Sequence, residues 1–103
     1  MHLQPATELE SSELVARLQN TKENFRVTAD KPFTNHQTRK RIERIIAVAG
    51  FIEELVLGDY YGSMIPFKVL HEICVSNEID IGEESLREYA GSIEYRTGVK
   101  YIS

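Results

Sequence analysis

The segment from Asn35 to Leu57 carries two apolar stripes side by side, and this constrains the fold more than any other feature. Ile42, Ile45, Ala49, Ile52 and Val56 recur at steps of three or four residues, the mark of one helical face. Val48, Phe51 and Leu55 form a second stripe beside it. At 100° per residue these positions sweep roughly 180° of arc, whereas a surface helix needs a stripe of about 100°. The spacing therefore predicts a long central helix over residues 35–57, covered by neighbours on two sides. Thr34-Asn35-His36-Gln37 has capping-box spacing at its start, and Gly58 is a C-terminal stop. The remaining strip holds Glu43, Ala47, Gly50 and Glu54. Its two small residues predict close approach by another helix.

The flanking segments are shorter. Leu14 and Leu18, with Val15 alongside, predict a helix from Ser12 to Thr21, after a Thr7–Glu10 capping-box signal. Phe25-Arg26-Val27-Thr28-Ala29 alternates and is rich in strand formers, which predicts a short strand. Asp30-Lys31-Pro32 is a turn. After a loop at 59–63, Met64-Ile65 reads as a very short strand. Pro66 then opens a helix to Asn77 carrying Phe67, Leu70, Ile73 and Cys74 on one face. Ile79 to Gly82 is a turn. A last helix runs from Glu83 to about Tyr95 and stops before Gly98, with Leu86, Ala90 and Ile93 inward, and Val99–Ile102 reads as a strand. The expected fold is mainly α with minor β, a three- to four-helix domain over residues 12–103 after a flexible stretch at 1–11. Its expected core is Leu14, Leu18, Phe33, Ile42, Ile45, Val48, Ala49, Ile52, Leu55, Val56, Phe67, Leu70, Ile73, Cys74, Ile81, Leu86, Ala90 and Ile93.

Charge and cysteine usage narrow the function classes. The formal net charge of −4 argues against a chain that coats nucleic acid without selectivity, because phosphate neutralisation needs clustered cations. Segment 34–58 is the one with a positive balance, and Arg39, Lys40, Arg41 and Arg44 are its dense basic run. Cations near a helix N-terminus oppose the macrodipole, which leaves room for a role beyond stability. The acidic residues gather toward the C-terminal end. One cysteine, Cys74, forms no internal disulfide, and the N-terminal residues lack a charged and apolar leader pattern. The expectation is a cytoplasmic or other reducing intracellular setting, with no membrane span, since the longest strongly apolar run is Ile45–Ile52. His71 and Cys74 share a helix, but with His2 and His36 far off they make no metal set. No nucleophile and base arrangement stands out, so no enzyme and no cofactor are expected. Tyr60, Tyr61, Tyr89, Tyr95 and Tyr101 read as packed rings with hydroxyls in water, or as stacking groups.

The stretch Ile65-Pro66-Phe67-Lys68-Val69-Leu70 through Gly82-Glu83-Glu84-Ser85-Leu86-Arg87-Glu88-Tyr89 resembles the winged helix-turn-helix family, in pattern and over about 40 residues. A more distant likeness is to winged-helix segments that end some replication helicases. The resemblance implies a DNA-binding module, a transcriptional or replication accessory factor, with the helix from Glu83 as its recognition helix. It implies groove or edge contacts from Arg87, Ser92 and Arg96, and phosphate contacts from Arg39, Lys40, Arg41 and Lys68. It also implies a wing, whose second strand would come from 25–29, from another subunit or from a longer chain. On the recognition helix the outward face reads Glu84, Glu88, Gly91 and Tyr95, with Arg87 and Arg96 on opposite flanks. The other reading of the same scaffold is a protein-interaction module without DNA binding. In it the helix pair offers Glu84, Glu88 and Tyr95 to a basic protein partner, or the long helix packs on its copy in a homodimer.

Overall fold

The computed structural model describes residues 11–58, 61 and 64–102. Its elements run α1 (Ser11–Ala29), α2 (His36–Leu57), β1 (Met64–Pro66), α3 (Phe67–Ser76), α4 (Glu83–Thr97) and β2 (Lys100–Ile102). The domain is thus mainly α with minor β. The stretch expected to be loose at 1–11 lies, Ser11 excepted, outside the described residues, and so do the Thr7 cap and Tyr60.

α2 is the shaft on which the rest is assembled. α1 packs along it, α3 and α4 both pack on it, and α4 also packs against α1. Val48, Ala49 and Ile52 are fully buried in this double embrace, together with Leu14 and Leu18 of α1, Leu70 of α3, and Leu86 and Ile93 of α4. Burying a large aliphatic side chain stabilises by about 1.5–3 kcal/mol. The wide apolar arc of α2 is accordingly satisfied within one chain. An ion pair stitches α1 to α2: Lys22 Nζ lies 2.6 Å from Glu53 Oε1, and Gln19 Nε2 donates to Glu53 Oε2 at 3.3 Å. Glu53 Oε1 is buried without an aligned hydrogen bond, so the Lys22 ammonium holds it by charge.

Four expectations are corrected. Helix α1 does not stop at Thr21. It continues to Ala29, and residues 25–29 are helical rather than a strand. Thr21, Phe25 and Ala29 extend the Leu14–Leu18 row at steps of three and four, and contact with α2 outweighs the strand preference of Val27 and Thr28. Phe33 is not core. It sits in the α1–α2 loop 80 % exposed, with the Lys31 ammonium 5.8 Å from its ring centroid. The cap of α2 is Asn35, not Thr34. Asn35 Oδ1 accepts from the Thr38 N–H at 2.8 Å, while Thr34 Oγ1 donates to the Thr28 carbonyl at 2.8 Å. Finally, among the described residues no helix comes close at Gly50 of the small-residue strip, where an added Cβ would meet nothing within 4 Å.

The strands pair with each other. β1 and β2 are parallel, in the register Met64 with Lys100, Ile65 with Tyr101 and Pro66 with Ile102. The partner of the last strand is therefore β1, and residues 25–29 contribute nothing to it. The α3–α4 turn ends α3 on a left-handed residue, Glu78, at φ 59°. The Ile79 N–H then reaches the Cys74 carbonyl at 2.9 Å, and the Glu78 N–H the Val75 carbonyl at 3.0 Å, which is a Schellman closure. Gly98, also left-handed at φ 85°, ends α4 by the simpler αL motif, its N–H donating to the Glu94 carbonyl at 2.8 Å. Just before it Thr97, fully buried, takes the Val99 N–H on its Oγ1 at 3.3 Å. Tyr101 locks β2 onto α4 by donating from its hydroxyl to the Ala90 carbonyl at 2.8 Å.

Two measurements check this account. A non-glycine residue held left-handed costs about 1 kcal/mol, so Glu78→Gly should raise the urea midpoint, by up to that amount in stability. Burial first, and the Glu94 carboxylate second, push the Tyr101 phenol above its ordinary value. Its neutral form is thus favoured on folding. That contribution is complete below the unfolded tyrosine value of about 10 and is lost as pH rises through the folded value. Tyr101→Phe should cost about 1 kcal/mol at neutral pH and flatten the alkaline loss of stability.

Candidate nucleic-acid interface

The face of α2 that α3 and α4 cover does not end where the cover ends. Gln37, Arg41 and Arg44 stand on the same side of the helix as Val48, Ile52 and Leu55. Over the first two turns that side is polar and basic instead of apolar. With Lys40 beside it, it forms one wall of an open groove of about 580 Å³, closed on the other side by Tyr89 of α4 and lined also by Asn35 and Thr38. Lys40, Arg41 and Arg44 are exposed, and Tyr89 is buried with 6 % of its surface left. The change from Arg44 to Val48 marks where packing stops.

Arg41 is tied across to α4, its Nη2 lying 3.1 Å from Glu88 Oε1, with both groups more than half exposed. This pair is the bridge between the basic turns of α2 and the outward face of α4. Such an exposed pair is worth about 0–1 kcal/mol, so Arg41 is easily taken by another anion.

Arg39 has a different place. Its Nε donates to the Ala29 carbonyl at 3.0 Å and an Nη donates to the Thr34 carbonyl at 3.4 Å, in a part-buried setting. It clasps the α1–α2 loop from inside and does not line the groove.

The helix expected to face outward does so. Glu84, Glu88, Gly91 and Tyr95 are exposed along α4, and Tyr95 is 92 % exposed. Its flanking arginines diverge. The Arg87 guanidinium lies over the Phe67 ring, 4.1 Å from its centroid, toward α3. The Arg96 guanidinium lies over Phe25, 4.6 Å from its centroid, toward α1. Ser92 is half-buried, and Lys68 is exposed on α3. The structure thus brings Lys40, Arg41 and Arg44 together beside α4, sets Lys68 and Arg87 together on the far flank, and leaves Arg96 apart from both.

Arg44, Gln37 and Tyr89 complete the groove, although the sequence reading chose Arg39 ahead of them. Their signal was present: Gln37, Arg41 and Arg44 extend the buried stripe at helical steps. His71 is half-buried and Cys74 fully buried on α3, and burial pushes the Cys74 thiol up, away from the reactive thiolate. Among the described residues no group of three or more histidine, cysteine or acidic side chains is placed to hold a metal ion, and no helix is long and apolar enough to cross a membrane.

No family model, no curated protein and no solved structure matches this chain.

The contrast between two neighbouring cations is testable. Arg39→Met removes hydrogen bonds from a charged group to the loop carbonyls and should cost about 1–3 kcal/mol in chemical denaturation. Lys40→Met should stay within about 0.5 kcal/mol of the parent.

Proposed function

We propose that this domain is a winged-helix-like DNA-binding module that docks on duplex phosphate through the basic first turns of α2 and lays α4 beside them. The observation that carries the reading is the open groove in which Lys40, Arg41 and Arg44 continue the buried stripe of α2. A helix needs no cations there for its own stability, since they oppose its dipole. A phosphate backbone uses both the cations and the N-terminal turn. The helix pair α3–α4, with α4 exposed, supplies the second part of the reading. β2 pairs with β1, so the described residues contain no hairpin wing, and groove contacts fall to α4 itself. Arg87 and Lys68 reach backbone on its far flank, and Ser92 and Arg96 stand on its α1 side. We read the protein as cytoplasmic on its one unpaired cysteine, and its role as that of a transcriptional or replication accessory factor.

Glu88 opposes this contact. It holds Arg41 in the free protein and places a carboxylate next to the phosphate path. Selective binding at modest overall affinity follows, in keeping with a net charge of −4.

One observation favours a protein partner instead. Tyr95 stands 92 % exposed, one turn beyond Gly91, where an added Cβ would touch nothing. An uncovered aromatic near Glu84 and Glu88 suits a basic protein partner. The arc of α2 that would serve a homodimer is occupied by this chain's own helices.

Fluorescence anisotropy with a labelled duplex decides between these readings. Replacing Lys40 and Arg44 together by Met should weaken binding about tenfold or more and flatten the salt dependence by about one unit of slope per lost contact. Glu88→Gln should tighten it several-fold. Binding that is undetectable at low salt, or indifferent to all three changes, refutes the nucleic-acid reading.

A further inference from the structure

We propose that a second cavity, between the first turns of α3 and α4, is a binding site for a phosphate group. The inference stands on different residues from the α2 groove. Arg87 and Glu88 are adjacent in sequence, yet Glu88 meets Arg41 while Arg87 turns to the opposite flank of α4 and stacks on Phe67. The helix itself separates the two places.

The cavity has a volume of about 350 Å³ and is lined by Phe67, Lys68, His71, Glu83 and Arg87. Phe67 is buried and forms its apolar base. The Arg87 guanidinium lies over that ring, 4.1 Å from the centroid. Stacking restricts the fork before any ligand arrives, which lowers the entropy lost on binding. Lys68 and His71, almost one turn apart on α3, add an ammonium and an imidazole to the same space. A planar fork, a point charge and a ring N–H are the donors that phosphate oxygens accept from. Because they come from two helices that both pack on α2, their separation is set by the core rather than by a loop.

Glu83 is the one acid in the lining. Its Oε1 lies 3.3 Å from Arg87 Nη2, and both side chains are more than half exposed. The pair occupies part of the fork, and among the described residues no ion pair takes Lys68 or His71. The balance of the cavity is positive, and an arriving phosphate competes with Glu83 for Arg87. Two cations in the lining disfavour a metal ion there. The phosphate has two possible sources, the backbone of a nucleic acid or a free phosphate monoester, and the recognising chemistry is the same for both.

The test is an NMR titration that follows the ring protons of His71, assigned through His71→Gln. Inorganic phosphate at constant ionic strength should move them saturably, whereas chloride should not. Lys68→Met and Arg87→Gln should each weaken the response about fivefold, and the Lys40→Met protein should respond as the parent does. Lys68 is exposed, so its variant retains the fold, which a thermal melt verifies. A response to phosphate that never saturates, or that persists unchanged in Lys68→Met, overturns the proposal. The source follows from a duplex lacking terminal phosphates. If it moves His71 and is weakened by Lys68→Met, the ligand is backbone. If it binds without moving His71, or does not bind while inorganic phosphate does, the ligand is a free monoester. The last outcome sinks the duplex reading of the α2 groove and leaves this site standing.

Discussion

Contact between α1 and α2 is the interaction on which the rest depends. Leu14 and Leu18 are fully buried against the long helix, and the Lys22–Glu53 pair fixes how far the two rods slide along each other. Once that hairpin of helices is set, α3 and α4 complete the core with Leu70, Leu86 and Ile93, α4 against both α1 and α2, and the parallel β1–β2 pair ties the two ends of the α3–α4 unit together. Each exposed cation of interest is placed by this arrangement. Arg41 and Arg44 are exposed beside α4, Arg41 in a solvent-exposed pair with Glu88, and Arg87 is stacked because α3 presents Phe67.

Most of the architecture was legible because helical periodicity is a strong signal over long segments. The double stripe on 35–57 located α2 and required its two-sided cover. Gly82 and Gly98 bracketed α4, and Pro66 marked the start of α3. The signal failed where local and tertiary preferences conflict. Phe25 to Ala29 looks like a strand in isolation, and only contact with α2 makes it helix. Phe33 is as apolar as any core residue, but the tight turn after Pro32 leaves it outside. Ile65 is buried in β1, and Thr97 and Val99 are buried where α4 gives way to β2; a three-residue pairing has almost no periodicity to read.

The candidate site was half legible. The basic run 39–44 was visible, and helical geometry separates its members by function. Lys40, Arg41 and Arg44 point to one side, whereas Arg39 turns back to the loop carbonyls. Sequence alone does not show which turn of a helix its neighbours leave bare, so the stripe that Gln37, Arg41 and Arg44 extend does not by itself mark a groove. The opposite placement of Arg87 and Arg96 was predictable from their spacing on one helix. Their aromatic partners were not, because Phe67 and Phe25 belong to other elements.

Chemical-shift mapping of the amide signals during addition of a duplex tests the central claim most directly. The account predicts that the largest changes fall on residues 37–44 and on the outward side of α4 near Glu88, with the outer side of α1 silent. Changes centred on α1, or confined to Tyr95 with residues 37–44 unmoved, would contradict it.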